Sequence, residues 1–435
     1  MIDRNDVARE KIARAKEMLL EQGVDMWVFY SRLKGDPALE LMFNTDTRNE
    51  VLMAITKDRT YAFACSGDAP GFRASGLYTE VIETASCPDV CGRDAVCGQD
   101  AVCGQDAVCG DIMEEFARLY KSMEVNKLAL NISSEDTRCD GLSVGLYRKL
   151  ETALGAAEMA RVKTGSFPML EELRAVKTPS EIGIMRECSR ITTDIYDALY
   201  QQVRVGMSET DVGDIMMAEL RKRGLGTALS DPNEYPLILL VKGGMSHRKP
   251  NPNNICLPGD MLVIDFSVRC NGYTSDIART MYFLKPDEEH APQPVRDCAD
   301  AAVRAVGEVL RVIRPGMKGY EVDAVGRQSI LDSGYPDIPH SVGHQVGLEV
   351  HDGGTTLGKD RTRRTCRGVL RKNEVYALEP TVLQPGGLPC AIIEDNVLLV
   401  DGGCELISRR QTALIEIPYR TGGAGTSGGA GTSEP

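Results

Sequence analysis

An aspartate set among apolar residues, in Asp260-Met261-Leu262-Val263-Ile264-Asp265-Phe266-Ser267-Val268, is the first sign of chemistry in this sequence. Apolar neighbours on both sides of Asp265 describe a largely buried strand, where an ionised carboxylate without a partner is very costly. Asn271-Gly272 follows, the strongest short-range hairpin signal, so Tyr273 to Phe283 should return as the partner strand. A two-residue loop pairs Cys270 with Tyr273 and Ser267 with Asp276. Asp265 then lies diagonally from Asp276 on one face of the ladder. Two buried carboxylates aimed into one volume need a counter-charge. A shared pair of metal ions supplies it; so does Arg279 on one carboxylate with backbone amides on the other. On the hairpin alone these readings stand level.

Three further segments favour metal. Pro339-His340-Ser341-Val342-Gly343-His344-Gln345-Val346-Gly347-Leu348-Glu349-Val350-His351-Asp352 holds three of the chain's five histidines. Val375-Tyr376-Ala377-Leu378-Glu379-Pro380 puts a glutamate at the end of an apolar strand, and Ile392-Ile393-Glu394-Asp395-Asn396-Val397 puts another in a second one. Together they give carboxylates and imidazole in the oxygen-rich, histidine-poor proportion that suits paired divalent first-row ions.

In order along the chain, GYTSDIART, PHSVGHQVGLEVHD, ALEP and IIEDNVLL resemble the site segments of the pita-bread metallopeptidases, within them the aminopeptidase P and prolidase branch. LRAVKTPSEI is similar to that branch's domain opening, and the resemblance covers Met169 to about Arg420. It implies an α/β N-terminal domain followed by an α+β pita-bread (creatinase/aminopeptidase-type) catalytic domain. Metal ligands fall by resemblance on Asp265, Asp276, His344, Glu379 and Glu394, for two divalent ions: manganese, with cobalt, zinc or iron as alternatives. The family's other site histidines fall on His247, His340 and His351. The implied reaction is hydrolysis of an Xaa-Pro bond in a peptide, and the implied assembly a homodimer. Two ions about 3.5 Å apart would hold a bridging hydroxide and polarise the carbonyl. Glu379 would carry the proton to the leaving nitrogen, and His247 and His351 would hydrogen-bond the oxyanion and substrate. His340 would bind substrate. The chain departs from the branch at Ile392, where arginine is usual, and at Thr381, where glycine is common after Glu-Pro. A small-molecule hydrolase or lyase on the same scaffold, as in creatinase-like and ectoine-hydrolase-like relatives, is therefore the alternative. A non-catalytic binding module on the same fold is a third reading, disfavoured because no ligand position is lost.

These residues need elements to hold them. Thr178-Pro179-Ser180-Glu181 reads as a helix start with a capping box, running to about Val203, and Ser208-Glu209-Thr210-Asp211 starts another that Gly224 ends. Upstream, a helix capped by Asn5 or Asp6 should run to Gln22. A strand follows over 25–30, then a hairpin from Glu50–Thr56 and Thr60–Cys65, a helix over 111–120 and a strand over 127–131. The domains expected are 1–165, 169–420 and a flexible Gly/Ser/Thr tail at 421–435. An insert at 87–110 repeats CGRDAV, CGQDAV, CGQDAV. Three near-identical units are too few for a solenoid and lack a paired C-x-x-C chelate, so the segment reads as a recently duplicated surface loop.

The chain has 435 residues, 42% hydrophobic and 26% charged, enough for real cores in roughly two or three domains. A net charge of −13 disfavours nucleic acid and anionic membrane surfaces as partners. No apolar run reaches the roughly 18 residues of a membrane span, and the N-terminus lacks the apolar core of a signal peptide. The reading is a cytoplasmic protein whose 14 cysteines are mostly reduced, buried thiols.

Overall fold

The computed structural model carries the Asn271-Gly272 hairpin in the register that its two-residue loop dictates. Cys270 faces Tyr273, Arg269 faces Thr274, and the same ladder continues to Phe266 opposite Ile277 and Asp265 opposite Ala278. Asn271 and Gly272 take φ of 50° and 82°, the left-handed pair of a type I′ turn. Described are residues 2–44, 47, 49–84, 111–360 and 364–420, so the hexad insert at 87–110 and the tail at 421–435 lie outside the described residues. The chain divides into two compact units, Met1–Ile184 and Met185–Pro435.

In the second unit, alternation along the strands separates core from site. Leu262, Ile264 and Phe266 of the strand Met261–Phe266, with Ile277, Met281 and Phe283 of Ile277–Phe283, bury against Ile195, Leu199, Val212, Met216 and Leu220 of two helices. Met261, Val263 and Asp265 therefore face the other way, as do Ala278 and Thr280. Leu237–Leu240 and Ile415–Ile417 flank these two strands in a four-stranded sheet. A second four-stranded sheet orders Gly343–Gln345, Val375–Leu378, Asp395–Val400 and Gly403–Leu406. Its core comes from Tyr376, Leu378, Val397 and Leu399 against the helices Gln293–Val312 and Gly319–Asp332. Each sheet thus spends one face on its helices and keeps the other for the site.

The expected continuous strands are broken, and each break coincides with a carboxylate. The return strand is Tyr273–Thr274 and then Ile277–Phe283, with Asp276 in the gap; the last site strand is Ala391–Ile392 and then Asp395–Val400, with Glu394 in the gap. A regular ladder would fix these side chains by alternation alone. The interruption lets side-chain hydroxyls replace ladder bonds, as where the Val268 amide donates to Ser275 Oγ at 3.1 Å.

The first unit is a six-stranded mixed sheet in the order Glu80–Thr84, Thr60–Cys65, Glu50–Thr56, Met26–Arg32, Leu128–Leu130, Lys163–Gly165. Asp3, not Asn5 or Asp6, caps the helix Arg4–Gln22: its backbone is extended and its side chain accepts from the Asn5 amide at 2.9 Å. Asp6 sits inside the first turn instead, where it complements the helix dipole. The capping box at Thr178 forms, with the Thr178 amide donating to Glu181 at 2.6 Å. The nine described cysteines are free thiols, and no described helix is long and apolar enough to cross a membrane.

Candidate active site

Asp276, His344 and Glu394 offer ligand atoms within 4.8 Å of one another. His344 Nε2 lies 3.4 Å from Asp276 Oδ2 and 3.6 Å from Glu379 Oε1. Asp265 joins beside Asp276, close enough that the two carboxyl groups shift each other's ionisation. The five predicted ligands thus form one cluster. Gly343 is needed beside His344, because a Cβ there would collide with the Ala377 carbonyl of the neighbouring strand.

The cluster is held by a polar scaffold. Ser267 Oγ donates to Asp276 Oδ1 at 2.7 Å, realising the predicted Ser267–Asp276 pairing as a side-chain bond. Asn396 grips the backbone of Asp276 from both sides, accepting from its amide at 2.9 Å and donating to its carbonyl at 2.7 Å. Thr192 meets Ser275 at 2.6 Å, and Ser189 reaches Asn396 at 3.3 Å. The Glu394 amide donates to the Ala278 carbonyl at 3.1 Å, tying the two carboxylate-bearing breaks together. Apart from the Ser267–Asp276 pair, none of these braces was singled out from sequence. Asn396, a polar residue in an apolar strand, was the available signal.

The charge balance removes one of the two readings of the hairpin. Arg279 is buried, but its guanidinium donates to Asp395 at 2.9 Å and to the carbonyls of Ala278, Glu394 and Arg409. It takes neither Asp265 nor Asp276. Burial first, and then mutual repulsion, pushes Asp265 up to about 8; burial pushes Asp276 up to about 6. Glu379 and Glu394 are raised well above the usual carboxylate range by burial and then by the two aspartates. Burial pushes His344 down to about 4, so its imidazole is neutral. Its Nδ1 is 3.3 Å from the Gln345 carbonyl, which leaves the Nε2 lone pair facing the carboxylates. Two buried carboxylates, Asp276 and Glu394, two half-buried ones, Asp265 and Glu379, and a neutral imidazole, with the Arg279 guanidinium committed elsewhere, are a donor set that fits divalent cations.

The other predicted histidines surround this cluster. His351 is exposed, and its ring meets that of His344 edge-on at 4.2 Å. His340 is half-buried, with Nδ1 3.9 Å from Glu379 Oε2. His247 is exposed on the loop before Met261–Phe266, near enough that its charge bears on Asp265 and His340. Glu209 anchors that loop. It is buried, takes Arg248 through both oxygens at 2.5 and 2.7 Å, and accepts from the amides of Leu240 and Asn251. Glu209→Gln should therefore cost about 3 kcal/mol, the scale of breaking a buried ion pair, read as a lower urea midpoint.

Two helix-backed sheets that turn their open faces to one carboxylate–imidazole cluster define a pita-bread metallopeptidase. The chain belongs to metallopeptidase family M24, whose family model matches residues 183–401. It is 28% identical over 255 residues to an Xaa-Pro dipeptidase of Pyrococcus furiosus, spanning 57% of this chain and 67% of that protein. It is 26% identical over 311 residues to an Xaa-Pro dipeptidase of Pyrococcus horikoshii, spanning 70% of this chain and 78% of that one. The crystal structure of an X-Pro aminopeptidase from Thermotoga maritima shares the fold, with a TM-score of 0.71 at 21% identity over 93% of this chain and 100% of that one.

Proposed function

We propose that this protein is a peptidase of the aminopeptidase P or prolidase type, hydrolysing Xaa-Pro bonds at a centre of two divalent ions held by Asp265, Asp276, His344, Glu379 and Glu394. The observation that carries the reading is the cluster of four carboxylates, two of them buried and two half-buried, with which no lysine or arginine among the described residues forms an ion pair. When bound, the ions supply an activated water and polarise the scissile carbonyl. Asp276, gripped by Ser267 and Asn396, keeps its geometry without further rearrangement. Glu379 takes the proton from the attacking water and delivers it to the departing nitrogen. His351 and His247, both exposed at the cluster, donate hydrogen bonds as charge develops on the carbonyl oxygen. From the family resemblance we also infer a homodimer that uses manganese.

His351→Ala should lower turnover by a factor on the order of 10² to 10³, the scale of losing one oxyanion donor. His340→Ala should lower it less, because both ring nitrogens of His340 already bond to the protein. Equal losses in the two variants would reject this division of roles. The reading itself is tested by a turnover screen of Xaa-Pro dipeptides, longer Xaa-Pro peptides and small guanidino or amide compounds, with manganese added. Turnover confined to the small compounds would replace it with a hydrolase of the creatinase or ectoine-hydrolase kind.

A further inference from the structure

We propose that the leaving side of this site takes an uncharged group, such as the next residue of a longer peptide or a carboxamide, and that Thr381 and Ile392 set this preference against a free carboxylate. The proposal rests on the peptidase reading above and narrows its substrate class.

Thr381 and Ile392 are direct partners in a two-residue antiparallel ribbon, with Val382 opposite Ala391. The ribbon joins the site at both ends. Thr381 follows Glu379 by two residues, and Ile392 precedes Glu394 by two. Thr280, on the carboxylate-bearing face of its strand, fixes the Ile392 backbone, donating to its carbonyl at 2.7 Å and accepting from its amide at 3.0 Å. The Ile392 side chain is half-buried and packs on a cluster that includes Val241, Met261, Val263 and Tyr282. Met261 and Val263 lie on the same strand face as Asp265, so the carboxylate floor continues directly into an apolar one.

Among the described residues, His340 and the cations of the catalytic unit named next are already engaged. His340 Nδ1 is 2.7 Å from the Ser341 carbonyl, so that nitrogen carries a proton. His340 Nε2 is 2.9 Å from Thr381 Oγ1, so the second nitrogen is spent on the ribbon. Arg327 donates to Asp323, Asp337 and the His340 carbonyl, Arg248 to Glu209, and Lys242 to Asp260. Arg279 is held by Asp395. Each of these cations already faces a carboxylate. A substrate carboxylate brought against Ile392 would lose water without gaining a partner from these groups. A carboxamide or peptide bond carries no such charge.

The test compares kcat/KM of manganese-reconstituted protein on Ala-Pro, Ala-Pro-amide and Ala-Pro-Ala. The two uncharged-side substrates should exceed Ala-Pro by about tenfold or more. Ile392→Arg should shift that ratio toward Ala-Pro by a similar factor, and Ile392→Lys serves if the arginine variant does not fold. A wild-type preference for Ala-Pro, or a ratio unchanged in a folded Ile392 variant, would overturn the proposal. If none of the three is turned over, the Xaa-Pro reading fails separately, and calorimetric titration with prolinamide and with proline reads the wall directly. Tighter binding of prolinamide supports the proposal; equal or tighter binding of proline, or binding of neither, overturns it.

Discussion

Glu379→Gln is expected to abolish measurable turnover while the protein still folds and retains much of its metal binding. Glutamine preserves the size of the side chain and one coordinating oxygen, but its amide does not accept a proton at neutral pH. The backbone at this position is fixed independently of the carboxylate, since the Glu379 amide donates to the Val342 carbonyl at 2.8 Å. Only the carboxylate oxygens, 3.6 Å from His344 and 3.9 Å from His340, change character. The measurement is single-turnover hydrolysis of the best substrate from the screen, alongside metal content. Wild-type turnover with metals bound would show that another group carries the proton.

Glu394→Gln should act in two opposite directions. In metal-free protein it should raise stability, because it removes a group whose ionisation the fold opposes, while weakening metal uptake. Glu394 is 2% exposed, and burial and its three carboxylate neighbours all oppose its ionisation. The sign with pH follows. Carboxyl groups whose folded pKa lies above the unfolded value stabilise the fold at low pH, and that stability is lost as pH rises through the folded pKa. The four carboxyl groups of metal-free protein should therefore contribute less stability as pH rises from about 4, the unfolded carboxylate value, toward about 8, where Asp265 ionises. Manganese should reverse the loss, since it binds the deprotonated ligands. Urea denaturation across that range, with and without the ion, checks both statements. Glu394→Gln protein that is less stable than wild type without metal would contradict them.

Much of this site was legible because its residues break local rules. Asp265 in an apolar strand, and histidines crowded among glycines, are costly unless something compensates them. The Asn271-Gly272 turn then fixed the register from Cys270 to Asp265, since a two-residue loop leaves no slack. Strand breaks at Asp276 and Glu394 were not legible, because apolar flanks look the same whether or not the ladder is interrupted. Nor was the destination of Arg279. Sequence alone leaves a hairpin aspartate as open to it as Asp395, and only the packing of the second sheet brings Asp395 to it. The pairing of Thr381 with Ile392 joins residues eleven apart in sequence through a short ribbon that no periodicity announces.

The central claim, a dinuclear centre built from five side chains, is tested most directly by elemental analysis of protein stripped with chelator, reconstituted with manganese and freed of excess ion. The account predicts close to two ions per chain, falling well below that in Asp276→Asn and Glu394→Gln, with turnover lost on chelation and restored on return of the metal. One ion per chain would contradict the dinuclear centre. A content near zero, with turnover indifferent to chelator, would contradict metal chemistry at this site altogether.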